Sequence, residues 1–225
     1  MLSRMLAALL LAWSIVAQAG VESLSNQDAV SGLKAALEKG SGSAVDLLGR
    51  TDGFFGNSAV KIPLPDSLKK YEKLMHSVGM GKYADELVLT MNRAAEAAVP
   101  EAKKLFVDSI KKMTVQDAKG ILTGGPTSGT AYFKRTTSDQ LRAKFLPIVK
   151  QATAKVKLAE KYNQYAQKGA QFGLVKKDQA NLDDYVTQKS LDGLYYMVGE
   201  EEKKIRQNPV QAGSDIIRKV FGALK

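Results

Sequence analysis

The sequence predicts an all-α protein, a single multi-helix bundle with one long irregular loop near residues 50–65 and no significant sheet. Three observations carry that prediction. Apolar residues recur at separations of three and four along most of the chain, the period that lines one face of a helix. Helix-start signatures, a Ser, Thr or Asn followed three residues later by Asp, recur at Ser25, Thr114 and Asn181. Strand-like alternation is confined to "SAVKI" (58–62), five residues inside the loop.

The elements follow in order. Residues 1–19 read as a cleaved signal peptide: Arg4 is basic, Leu6 to Val16 form an apolar run too short to span a bilayer, and Ala17-Gln18-Ala19 offers a small-x-small cleavage site. A mature chain of residues 20–225 is then a single helical domain of an exported protein, periplasmic or secreted. Ser25-Asn26-Gln27-Asp28 opens a helix carrying Val30, Leu33 and Leu37, which Gly40-Ser41-Gly42 is expected to loosen or break. "GRTDGFFGNSAVKIPLPD" (49–66) is the irregular stretch. Asp66 is placed to N-cap the next helix, and Gly79 to stop it.

A long helix spans residues 83–112 with Leu87, Met91, Ala94, Ala95 and Ala98 facing inward, and Pro100 kinks or splits it. Thr114 opens a short helix that ends at Gly124-Gly125. A turn or two of helix around Tyr132 follows, and Ser138 is expected to cap a long helix reaching toward Gln171 past Pro147. Asn181 caps residues 182–207, Pro209 stops them, and 213–224 close the chain as a short amphipathic helix.

"ILTGGPTSGTAYFKR" (121–135) has the G-x-x-x-x-G spacing of a phosphate-binding loop at Gly124 and Gly129. That chemistry needs a preceding strand, a Lys for the terminal phosphates and a hydroxyl for magnesium. Here a capped helix precedes the loop, Thr130 stands in the Lys position and Ala131 in the hydroxyl position. A nucleotide is therefore excluded. The segment is either a helix–loop–helix joint capped by Thr127 or Ser128, or a helix start whose free N–H groups hold a small anion.

"MNRAAEAA" (91–98), "DAKGILTGG" (117–125), "TAYFKRTTSDQL" (130–141), "YVTQKSLDGLYYM" (185–197), "EEKKIRQNP" (201–209) and "KVFG" (219–222) occur in this order. Together they resemble the bacterial domain-of-unknown-function family 4197 over essentially the whole mature chain. The resemblance implies export and a helical fold and carries no chemistry. In the family pattern an acidic residue sits inside the glycine loop and another follows the Thr, where this chain has Pro126 and Ala131.

With no Cys and a single histidine, His76 near a helix end, the chain offers neither thiolate nor imidazole clusters, and no loop has the acidic run of a calcium site. No metal and no cofactor is expected. Asn92, Arg93 and Glu96 share about one turn amid alanines, where a neighbouring helix can come close and bury them. Thr130, Tyr132, Arg135, Asp192 and Arg206 are available to complete either a polar network that sets helix register or a ligand pocket. In the pocket reading Arg93 or Arg135 would hold a carboxylate or phosphate. No catalytic residue is assigned; an alternative reading is a carboxylate-dependent hydrolase or lyase pairing Glu96 with Asp192.

Charge is distributed unevenly. The chain carries a formal +10, yet residues 134–177 alone hold eleven basic and two acidic side chains. On a helical wheel Lys150, Lys157, Lys161 and Lys168 share a narrow arc, with Tyr162 and Tyr165 beside it. They form either a solvated face or a ridge for an anionic partner: lipopolysaccharide, anionic lipid or an acidic protein. Nucleic acid is electrostatically allowed but at odds with an exported compartment. The sequence thus reads as an exported, cysteine-free helical protein that binds an anionic partner or associates with the envelope. A purely structural envelope component is the bland variant.

Overall fold

A computed structural model describes residues 25–224. Among them are nine α-helices and no strand: α1 (Asn26–Leu48), α2 (Asp66–Ser77), α3 (Gly81–Ala98), α4 (Ala102–Lys112), α5 (Val115–Thr123), α6 (Ser128–Thr153), α7 (Lys157–Gln171), α8 (Leu182–Gln207) and α9 (Asp215–Gly222). The leader reading of residues 1–19 lies outside the described residues. No described helix is long and apolar enough to cross a membrane.

Local signals start or stop several of these helices. The Ser25 hydroxyl accepts the Asp28 N–H, Thr114 and Asp117 form a reciprocal capping box, and the Asn181 side chain accepts from Asp183 and Asp184. Gly79 ends α2 in a left-handed conformation (φ 76°), with Met80 N–H donating back to Met75 O at 2.7 Å. Around Pro100 the expected long helix divides into α3 and α4 through a 3₁₀ turn, Val99–Glu101.

Four expectations are corrected. First, α1 runs through Gly40-Ser41-Gly42 without a break. Gly32, Ala36, Gly40 and Ala44 form a buried small-residue line at intervals of four, against which α8 and α9 pack closely. A Cβ on Gly32 would lie 2.5 Å from Val220 Cγ2 and 2.9 Å from the carbonyl oxygen of Ile216, so the approach itself stabilises a helix that glycine propensity opposes. Second, Pro65, not Asp66, occupies the cap of α2. Asp66 is helical, and its carboxylate accepts from Lys176 Nζ (2.9 Å) and Gln179 Nε2 (3.2 Å).

Third, Ser138 lies inside α6, its hydroxyl donating to Lys134 O, as helix-interior serines commonly do. Fourth, the long helix expected to reach Gln171 is broken at 154–156, while Pro147 is accommodated inside α6. The break has a tertiary cause. Thr153 donates to Asp183 Oδ1 at 2.6 Å, and Val156 turns inward to burial, so the chain bends to keep both α6 and α7 against α8.

The core lies between α6 and α8, which run antiparallel: Thr130 meets Glu202, Thr137 meets Tyr195, and Arg142 meets Asp184. Leu141, Phe145 and Val149 of α6 face Leu182, Val186 and Leu194 of α8 in the buried set. On one side α3 covers this pair with Leu87, Met91, Ala94, Ala95 and Ala98, all buried as the periodicity predicts. On the other lies α1, with α9 docked on it through Ile217, Val220 and Phe221.

Candidate functional site

The glycine loop is anchored from within. Thr127 caps α6 with no side-chain hydrogen bond, so the first N–H groups of that helix need another acceptor. They find Glu202: Gly129 N–H donates to Oε1 (2.9 Å), while Thr130 N–H and the Thr130 hydroxyl donate to Oε2 (both 2.8 Å). Arg206, one turn on, donates to Oε1 through Nε (3.1 Å) and Nη2 (3.0 Å), and its Nη2 also reaches Ile121 O at 2.8 Å. Glu202 and Arg206 side chains are only 7% and 13% exposed. The positive end of a helix here holds an anion supplied by the chain itself.

Both motif glycines have packing reasons. A Cβ on Gly129 would lie 2.4 Å from Leu37 Cδ2, and one on Gly124 would lie 2.2 Å from Ser128 Oγ. The Ser128 hydroxyl, a candidate cap, donates to Gly125 O instead. Glu202 could be read from the sequence only as an i, i+4 partner of Arg206; nothing local marks it as buried beneath a loop seventy residues away.

Asn92, Arg93 and Glu96 form a second internal anchor. Asn92, fully buried, brackets Ile62, accepting its N–H (2.8 Å) and donating to its carbonyl (2.9 Å). Glu96 Oε1 accepts the successive N–H groups of Phe54 and Phe55 (3.0 and 3.1 Å), and Arg93 bridges Glu96 Oε2 (2.6 Å) to Asp52 Oδ1 (2.7 Å). These two acceptors raise the Arg93 pKa, Glu96 first. The trio pins the irregular loop, whose Phe54, Val60, Ile62 and Leu64 are buried, against α3. Loop backbone thus supplies the partners that the burial of these groups demands.

The remaining candidate residues lie apart from that trio. Tyr132 donates to Ser109 O (2.8 Å); Arg135 reaches Asp117 Oδ1 (3.1 Å) and lies over the Tyr132 ring at 5.3 Å. Tyr132 and Arg135, with Gln116, Ile121 and Ser128, line an open hollow of about 410 Å³. The Asp117 carboxyl is held below its usual range by the Thr114 hydroxyl and N–H first, and by Arg135 after them. Asp192 is exposed on α8 and accepts from Gln188 (2.9 Å), so it and Glu96 have separate partners. Among the described residues no group of three or more His, Asp and Glu side chains converges as metal ligands would. His76 faces Asp85, 3.5 Å away.

The break at 154–156 also divides the lysine ridge: Lys150 belongs to α6, and Lys157, Lys161 and Lys168 to α7. All four are exposed. On α7 the three fall within about 40° of arc at 3.6 residues per turn, opposite the buried Ala159, Tyr162 and Ala166. Four other cations of the basic segment are paired: Arg135 with Asp117, Arg142 with Asp184, Lys144 with Glu101 and Lys176 with Asp66. No described carboxylate lies within the 4.0 Å reach of an ion pair to the four ridge lysines. Beside them a groove of about 370 Å³ runs between α7 and α2, lined by Ser67, Leu68, Leu158, Lys161, Tyr162, Tyr165, Ala166 and Val175.

A family model described as Protein of unknown function (DUF4197) matches residues 23–222. No curated protein and no solved structure matches the chain.

Proposed function

The chain belongs to the DUF4197 family, and from that premise we propose that it is an exported protein acting by binding an anionic partner through the lysine face of α7. The carrying observation is that Lys157, Lys161 and Lys168 are aligned on one face, exposed and without carboxylate partners among the described residues, whereas Arg142, Lys144 and Lys176 of the same basic segment are paired. Unpaired aligned cations keep their full field for an external ligand, whereas paired ones lose most of it to their partners. Lys150 adds to that field from the end of α6. The expected compartment is the periplasm or the exterior, since the leader-like start of the sequence and a cysteine-free chain both fit it.

The test is position-specific. With polyphosphate as a soluble probe, Lys157→Glu/Lys161→Glu/Lys168→Glu should weaken binding at least tenfold and flatten its salt dependence. The same charge reversal at Lys34, Lys73 and Lys111 should do much less. Equal losses from both triples would show that net charge alone acts, and the face would have no role.

A further inference from the structure

We propose that the α7 face and the turn that follows it dock on the surface of an anionic lipid bilayer, the lysines meeting headgroups and three apolar side chains entering the interface. This rests on the reading of α7 as an anion-binding face and names its partner.

Among the described residues the three most exposed large apolar side chains lie together in sequence: Tyr165 (72%), Phe172 (78%) and Leu174 (79%). Their spacing matters. Leu158, Tyr165 and Phe172 are seven apart, with Lys161 and Lys168 between them, so all five fall within about 80° of the α7 circumference. Interleaved apolar and basic residues on one side of a helix, with the long lysine stems free to reach past the apolar groups, are what an interfacial helix presents to anionic lipid.

The turn gives the two tip residues a defined direction. Gly173 adopts a left-handed conformation (φ 71°), and Leu174 N–H donates back to Gly169 O at 2.8 Å. This closed cap leaves Phe172 and Leu174 projecting on either side of a glycine, with exposed Lys176 and Lys177 just beyond. Behind the stripe, the α2–α7 groove extends the apolar surface inward. Two of its hydroxyls are turned to each other, Ser67 Oγ to Tyr162 OH at 3.0 Å, and the Tyr162 hydroxyl donates to Gln179 O at 2.6 Å.

Charge complementarity selects the occupant. A second copy laid face to face would oppose lysine to lysine. A soluble polyanion would satisfy the lysines and leave three apolar side chains in water. An anionic bilayer satisfies both, and since no described helix can span it, the attachment is peripheral.

The experiment uses the protein in the form its cells produce, with vesicles of phosphatidylglycerol and phosphatidylcholine compared with phosphatidylcholine alone. The protein should co-sediment with the anionic vesicles only. Lys157→Gln/Lys161→Gln/Lys168→Gln should reduce partitioning about a hundredfold. Phe172→Ser with Leu174→Ser, lysines intact, should reduce it about tenfold or more, with unchanged melting because both residues are exposed. In a Phe172→Trp variant, emission should shift to the blue on anionic vesicles. If the serine pair binds vesicles like the parent, or the tryptophan stays unshifted while the protein is bound, the lipid proposal is overturned. Lysine-dependent polyphosphate binding would then leave the anionic reading standing with a partner such as an acidic protein. If the lysine triple changes neither probe, both fall.

Discussion

Removing Glu202 should show how far one side chain secures the joint between α5 and α6. Glu202→Ala strips the acceptor from Gly129 N–H, Thr130 N–H, the Thr130 hydroxyl and Arg206. The Gly129 N–H is buried and has no other partner, which costs about 2 kcal/mol. Thr130 is half-buried and can recruit water, so its share is about 1 kcal/mol. Arg206 keeps its bond to Ile121 O and its place 5.5 Å over the Phe221 ring but loses its counter-charge in a nearly dry position. The total comes to about 4 kcal/mol, in the range for breaking a buried ion pair by removing one partner. For a chain of this size that is about 8–16 °C in Tm.

Glu202→Gln keeps one acceptor oxygen but turns an amide NH₂ toward the remaining donors, so about half the loss is expected. Far-ultraviolet circular dichroism in urea measures both variants, and hydrogen exchange should quicken first at Gly129 and Thr130. A loss below about 1 kcal/mol for Glu202→Ala would show that water serves the α6 terminus equally well, and the anchoring role would be refuted.

Three further outcomes follow from the same packing. Asn92→Ala leaves both polar groups of Ile62 unpaired in a fully buried site, so stability should fall by about 3 kcal/mol and limited proteolysis should cut first within residues 53–62. Gly129→Ala should destabilise by about 1–3 kcal/mol because Leu37 must move, whereas Gly125→Ala, where an added Cβ meets nothing within 4 Å, should be neutral or stabilising by about 0.5 kcal/mol in thermal melts. Burial pushes the Tyr185 phenol up from the ordinary 10.0 to about 12. The unfolded chain therefore ionises first, and the stability this proton provides is intact below pH 10.0 and lost as pH rises toward 12. Alkaline titration of tyrosinate absorbance should show a late component that Tyr185→Phe removes; an unchanged titration would contradict that burial.

The candidate residues were legible to unequal degrees. The trio Asn92, Arg93 and Glu96 stands out in the sequence because polar residues among alanines must be buried and therefore partnered, but its partners are backbone atoms of residues 54, 55 and 62, which carry no side-chain signature. Lys157, Lys161 and Lys168 share a face by periodicity alone, and they keep it because all three lie on α7. Lys150 shares that arc only on a continuous helix, and the break at 154–156 removes it.

The sequence by itself determined the helical class and several helix ends, because Ser25, Thr114, Asn181, Gly79 and Pro100 act through bonds and clashes within a few residues of themselves. Tertiary structure alone decided that α1 continues through Gly40-Ser41-Gly42, that the chain turns at 154–156, and that Glu202 lies beneath the glycine loop. In each case a contact between residues distant in sequence, Gly40 with Ile205, Thr153 with Asp183, Gly129 with Glu202, outweighs a local preference of about 1 kcal/mol. Burial and paired charge supply several times that amount only once the helices have met.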